Sequence, residues 1–230
     1  MSITKSLAKK LTNYNDSNSI GSRLRSRRVT TFLQMVEAVF QQYGYVNVID
    51  VGGMENYWHI VPPQYLEDHK VSITIVNLPD MRLPDDHGPF RFVNADGCDL
   101  SVFADNSFHI AHSNSVIEHV GDWARMTQLS KELQRVARKY FVQTPNYWFP
   151  IEPHFMTPFF HWLPKPFRVW LVMHLSLGHF DKASSVDEAV KTVEGTRLLN
   201  KSMFRELFPE AELNTEWYFL MPKSFVAVGY

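Results

Sequence analysis

Cysteine is nearly missing from this sequence. Cys98 is the only one in 230 residues, so no internal disulfide can form and a reducing compartment is the expected setting. Long apolar runs are missing too. The most membrane-like stretch, "FRVWLVMHLSLGHF" at 167–180, contains Arg168, His174 and His179 and is too short to cross a hydrocarbon core, which leaves at most a peripheral contact with a bilayer. The opening "MSITKSLAKKLTNYNDSNS" has no apolar h-region, so we expect an unprocessed, cytoplasmic chain. Neither sign of charge dominates. The formal net charge is −1, without the broad basic surface that a nucleic-acid substrate would demand, and no nucleic-acid partner is expected. No internal repeat is visible, and the histidines lack the Cys or carboxylate spacing of a zinc site.

Core formers, by contrast, are plentiful. With 45% hydrophobic residues, six Trp and seventeen Phe, residues 1–230 are expected to form one domain carrying an insertion. The basic charge is local: residues 1–30 hold seven Lys or Arg against one Asp, leaving −7 on the rest. We therefore set residues 1–28 apart as a basic N-terminal segment, with a turn-rich loop at 13–22. Val29, Phe32, Leu33, Val36, Val39 and Phe40 then recur at helical spacing, predicting a helix up to Tyr43, before Gly44.

From there the period changes to that of strands. Val46–Val51, Val71–Val76, Phe90–Val93, Phe108–Ala111 and Tyr140–Val142 are short apolar runs, separated by lengths that admit crossover connections. This is the pattern of a parallel sheet covered on both faces. Asp122 is placed to cap a helix through Ala137 whose inner stripe is Trp123, Met126, Leu129, Leu133 and Val136. Residues 145–183 hold six of the thirteen prolines and many aromatics, so they read as an inserted lid. "SVDE" at 185–188 fits a capping box, Asn200 can cap a helix ending at Phe208, and a Met-Pro turn is expected to separate two closing antiparallel strands.

Polar groups fall at the strand ends. "VIDVGGMENYW" puts Asp50 at the end of the first strand, followed by Gly52 and Gly53, where a sharp turn can bring backbone close to a ligand in the crevice above the sheet. Asn77 ends the second strand, Asp96 follows the third, and Asn114 with Ser115 forms the polar exit of the fourth.

In order and spacing these pieces resemble the class I S-adenosylmethionine-dependent methyltransferases, in particular the branch called the methyltransferase type 11 family. The motifs that carry the resemblance are "VIDVGG", "NADGCDLSVFADNSFHIAHSNSVIEHVGDW", "LSKELQRVARKYFVQTPN" and "YWFPIEPH", over roughly residues 46–146, with "LLNKSMFRELFPEAEL" and "KSFVAVGY" similar to the closing helix and hairpin. The resemblance implies an α/β, Rossmann-like, doubly wound sheet of seven strands, order 3-2-1-4-5-7-6 with the last strand antiparallel. It also implies S-adenosylmethionine as cofactor. Asp50, Gly52 and Gly53 would line its methionine part, Asn77 and Leu78 its ribose end, Asp96 and Gly97 its adenine, and Asn114 with Ser115 its sulfonium end. Four departures stand out. Met54 and Asn56 replace further glycines of the turn, Asn77 replaces an acidic ribose ligand, and His109 replaces an Asp. Ser115 stands where some related quinone-pathway enzymes place a cation-binding Glu, so no metal is expected.

For chemistry at the acceptor, His119 is the candidate base because imidazole titrates near neutrality, and His154 is the second candidate base or substrate contact. Asn146, Tyr147 and Trp148 are candidate substrate contacts at the entrance to the lid. The reading is a methyltransferase acting on an oxygen or nitrogen of a small molecule, such as a sugar, a glycolipid precursor or a secondary metabolite. Two alternatives stay open: a binding or scaffold protein that has lost catalysis, and an RNA methyltransferase using the basic run "RLRSRR" at 23–28.

Overall fold

The computed structural model describes residues 20–230, with side chains from Arg28 onward. The basic segment thus lies outside the described residues except for its last turns. Helix α1, Ile20–Tyr43, begins earlier than the apolar period required and takes in residues 20–22 of the expected loop. Val29, Phe32, Val36 and Val39 are buried as expected, joined by Met35, while Leu33 and Phe40 are half-buried, and the chain leaves the helix through Gly44 at φ +76°, a left-handed conformation that glycine adopts without a Cβ clash.

Strand β1, Val46–Val51, follows, then the short helices α2, Glu55–Trp58, and α3, Pro63–Asp68. Strands β2, Val71–Asn77, β3, Phe90–Asn94, and β4, Phe108–Asn114, come next. A single 3-10 turn at Ile117–His119 leads to α4, Trp123–Val136, whose N-cap Asp122 accepts from the Arg125 amide. Strand β5 is Ala137–Pro145. A small hairpin of β6, Ile151–Glu152, and β7, Thr157–Pro158, then lies within the segment expected as a lid. Helices α5, Lys165–His174, α6, Val186–Glu194, and α7, Lys201–Leu207, precede the closing strands β8, Glu212–Tyr218, and β9, Met221–Gly229.

The main sheet runs β3-β2-β1-β4-β5-β9-β8. Because β6 and β7 pair only with each other, the seven sheet strands taken in chain order read 3-2-1-4-5-7-6, the order the resemblance implied. β9 lies antiparallel to both neighbours, β5 and β8.

Strand alternation sends Ile49, Val51 and Ala111 to one face, under α4 and α7, and Val46, Val48 and Ile110 to the other, under α1, α2 and α3. Helix α7 has only seven residues, too few to hold itself in water. Burial of Phe204 and Leu207 stabilises it, at roughly 1.5–3 kcal/mol per side chain. The segment expected to form a lid has a third, separate core of Phe155, Phe160, Val172, Leu177 and Ala183, and it draws in Ala189 and Val193 from α6, beyond residue 183.

Two expectations need correction. Trp123 is not on the inner stripe of α4: it is 40% exposed, because as the first helical residue it lies at the rim. The closing hairpin turns at Phe219 and Leu220, both left-handed (φ 45° and 59°), while Met221 and Pro222 belong to β9. Pro222 fits there because it pairs across the irregularity next to Trp217, where a ladder donor is dispensable.

Candidate functional site

The carboxyl ends of β1 to β4 carry most of the expected polar groups, and the structure shows what each one touches. Asp50 shares the face of Val46 and Val48, so its side chain points under α2. It is 1% exposed, and both oxygens are taken: the Trp58 indole donates to Oδ2 at 2.8 Å, and His112 Nδ1 lies 2.7 Å from Oδ1. The carboxylate therefore braces the turn from below. Gly52 supplies the turn's left-handed residue (φ +73°), and a Cβ on it would meet Val116 at 2.7 Å. A Cβ on Gly53 would stand 1.8 Å from the Asp50 carboxylate. Met54 and Asn56 carry none of the bend; the chain runs from Gly53 directly into α2, which delivers Trp58 to Asp50. His112 was not among the expected site residues. The available signal was register, since Asp50 and His112 are lateral neighbours on β1 and β4.

Asn77 donates from Nδ2 to the Gly53 carbonyl at 2.9 Å, tying the turn to β2. Its Oδ1 makes no hydrogen bond among the described residues, and Leu78 beside it is half exposed. Asp96 accepts from Arg125 Nη2 at 2.6 Å and from the Cys98 amide at 2.9 Å. Partial burial pushes this carboxyl up, but the Arg125 hydrogen bond and charge outweigh it and hold the group below its usual value. Gly97 lies so close to Val51 that a Cβ would approach it to 2.7 Å. Asn114 accepts from Arg28 Nη1, and Ser115, left-handed at φ 55°, donates to Gln143 Oε1 at 2.8 Å. Of the run at 23–28, only Arg28 has a described side chain. It is buried and paired with Glu216 at 2.7 Å, so it is not a solvated patch. Cys98 is buried, its thiol pushed up to about 11 by desolvation, which removes it as a nucleophile.

His119 and His154, 35 residues apart, meet with their Nε2 atoms 2.9 Å from one another. His119 Nδ1 faces the Gly195 carbonyl at 2.8 Å, and His154 Nδ1 faces Glu152 Oε1 at 2.7 Å. A carbonyl can only accept, and the Glu152 carboxylate also accepts, on Oε2, from the His154 and Phe155 amides. Both Nδ1 atoms therefore carry hydrogen, and in the neutral pair both Nε2 lone pairs face one another. A single proton between them removes the conflict. Burial opposes charge on His154, but the Glu152 hydrogen bond and charge raise its pKa above the ordinary imidazole value, while burial and the neighbouring His154 lower that of His119. Glu118 lies beneath, fully buried; desolvation pushes its carboxyl up to about 7. Thr144 donates to its Oε2 at 3.1 Å, and Oε1 has no partner. One ligand atom each from Glu118, His119 and His154 lies within 4.8 Å of the others, a donor set able to hold a divalent cation that sequence spacing did not disclose.

In the lid, Asn146 is committed to structure. Its Nδ2 donates to the Pro222 carbonyl at 2.7 Å, and its Oδ1 accepts from the Trp148 amide at 3.1 Å. Trp148 is 62% exposed. Tyr147 lines a cavity of about 390 Å³ with Glu152, His161, Arg168, Thr196 and Arg197. This cavity adjoins the histidine pair, since Glu152 holds His154 and Thr196 Oγ1 lies 3.5 Å from His119 Nδ1. His109, which stands where the resemblance has an Asp, accepts from the Asn47 amide at 2.9 Å and stacks on Tyr43. No helix among the described residues is long and apolar enough to cross a membrane.

Residues 70–140 match the family described as a methyltransferase domain, a span from just before β2 into β5. No curated protein matches the sequence. Among solved structures, a possible exported protein from Bordetella parapertussis is 12% identical at a TM-score of 0.51, covering 85% of this chain and 66% of that one. An O-methyltransferase family protein from Burkholderia thailandensis is 14% identical at 0.48, covering 97% of this chain and 66% of its own. A protein of Methanosarcina mazei described as an S-adenosylmethionine-dependent methyltransferase is 14% identical at 0.45, covering 83% and 95%.

Proposed function

We propose that this chain transfers a methyl group from S-adenosylmethionine to an oxygen or nitrogen of a small molecule held under the lid. The observation that carries the reading is the methyltransferase-domain match over residues 70–140 on a sheet ordered 3-2-1-4-5-7-6. The strand tips fit an adenosine-bearing cofactor: Asn77 Oδ1 is open to a ribose hydroxyl, Leu78 offers exposed apolar surface beside it, and Asp96 stands partly exposed next along the edge. When bound, S-adenosylmethionine supplies an activated methyl group, so the chain's own task is to orient the acceptor and manage one proton. The His119–His154 pair suits the second task. Its opposed lone pairs favour taking a proton, and Glu152 stabilises the resulting charge.

A sugar, glycolipid precursor or secondary metabolite suits the aromatic lid. The scaffold reading has one observation in its favour: Asp50 and Asn114 are already hydrogen-bonded within the protein. Calorimetric titration with S-adenosylhomocysteine separates the two, with saturable binding expected. His119→Ala is expected to lower turnover about 100-fold while cofactor affinity changes little. Absence of nucleoside binding at millimolar concentration sinks the methyltransferase reading and leaves the scaffold.

A further inference from the structure

We propose that the lid cavity binds an anionic group, a phosphate or carboxylate with a hydroxyl beside it, through Arg168 and Arg197, with His161 accepting from the hydroxyl. That this anion belongs to the methyl acceptor rests on the function proposed above; the anion site itself does not.

Two buried polar atoms without partners lie in this cavity's wall. Arg168 Nε has no hydrogen-bond partner, and no carboxylate lies within ion-pair distance of Arg168 or Arg197 among the described residues. Burial lowers the Arg168 pKa from its ordinary value, and the charge of Glu152, which makes no ion pair with it, offsets this only in part. The carboxylates nearby are committed, Glu152 to His154 and two backbone amides and Glu194 to Lys165. The second orphan is His161 Nδ1. His161 Nε2 lies 2.7 Å from the Tyr147 carbonyl, so it carries the hydrogen. Burial keeps the ring neutral, which leaves Nδ1 as a bare acceptor.

A partly desolvated guanidinium with an unused Nε donor and a bare imidazole acceptor thus border one cavity of about 390 Å³. Water can satisfy the acceptor but cannot neutralise the charge. A planar guanidinium pairs in two-pronged fashion with phosphate or carboxylate, which supplies both. The cavity also shares Glu152 with His154 and reaches Thr196 beside His119, so a molecule anchored at Arg168 extends toward the histidine pair. Trp148, Trp162 and Phe167, all exposed, flank the lining residues Tyr147, His161 and Arg168, so the anion can come from a soluble ester or from a lipid headgroup.

The test titrates the full chain with inorganic phosphate, glycerol 3-phosphate and glycerol, and measures flotation with phosphatidate against phosphatidylcholine vesicles. Phosphate and its ester are expected to bind and glycerol is not. Arg168→Met and the exposed-site variant Arg197→Gln are each expected to weaken the anion by about tenfold or more. Arg168→Met is also expected to raise the thermal midpoint without ligand and to abolish the rise that phosphate produces. Binding to phosphatidate vesicles alone assigns the anion to a lipid, and binding of the soluble ester alone assigns it to a free metabolite; either supports the site. No binding of any anion, or affinity unchanged in both variants, overturns it. Titration of the same samples with S-adenosylhomocysteine keeps the two proposals apart, because anion binding without nucleoside binding rejects methyl transfer and leaves this site standing.

Discussion

A Cβ on Gly53 would fall 1.8 Å from the Asp50 carboxylate, which in turn holds Trp58 and His112. Glycine is needed there for close approach, while Gly52 is needed for its positive φ. From the sequence Asp50 reads as a crevice-facing group. Whether a strand-end side chain points into the crevice or beneath the turn depends on which face its alternation selects, and one chain segment read alone does not give that. The buried pair of Arg28 and Glu216 makes the same point, since 188 residues separate its members. Burial raises the Glu216 pKa, but the Arg28 charge and the hydrogen bonds from Arg28 and Ser224 outweigh it and hold the carboxyl below its ordinary value. Its ionised form therefore stabilises the fold above the ordinary carboxylate range, and that stabilisation fades as pH falls through the depressed folded value. Glu216→Gln is expected to cost about 3 kcal/mol at pH 7, because it removes the carboxylate charge that faces Arg28 in a buried site. In urea unfolding the gap to the parent is expected to shrink at pH 3, and an equal gap at both pH values would falsify the assignment to charge.

At the scale of elements, β1 is found at the expected Val46–Val51, and Asp122, Ser185 and Asn200 are the N-caps foreseen for their helices. These follow from local signals: apolar runs bounded by glycine, and short polar side chains that reach an N-terminal amide. Other strands run longer than their apolar cores, β5 by three residues at each end, because ladder bonds continue through residues that are not hydrophobic. The closing hairpin was misplaced for a different reason. Tight turns of this kind ordinarily call for Asn or Gly, and here Phe219 and Leu220 occupy the left-handed positions, 79% and 96% exposed. Nothing in the residue types announces such a turn. The double substitution Phe219→Asn, Leu220→Gly is expected to stabilise the protein by about 1–2 kcal/mol, read as a rise in the urea midpoint. A fall would mean that the apolar tip has packing that outweighs its backbone strain.

Across the whole molecule, two sheet-facing cores and one lid core are distinct clusters. The lid core is the smallest, and the lid meets the rest through few links, among them the His119–His154 contact and the pairing of Asn146 with Leu199. Amides of α5 and α6 are therefore expected to exchange with solvent through a partial opening, at least about tenfold faster than those of β1, β4 and β5. Native-state hydrogen exchange by mass spectrometry reads this directly, and uniform protection across lid and sheet would show one cooperative unit. The sequence by itself determined the α/β class and, by resemblance, the strand order, because periodicity, caps and collinear motifs are local properties. Tertiary structure decided which polar groups remain available. It directed Asp50 inward onto His112, committed Asn146 to Pro222, and set His119 against His154, because contacts across long chain separations arise only when strand register and loop packing bring their elements together.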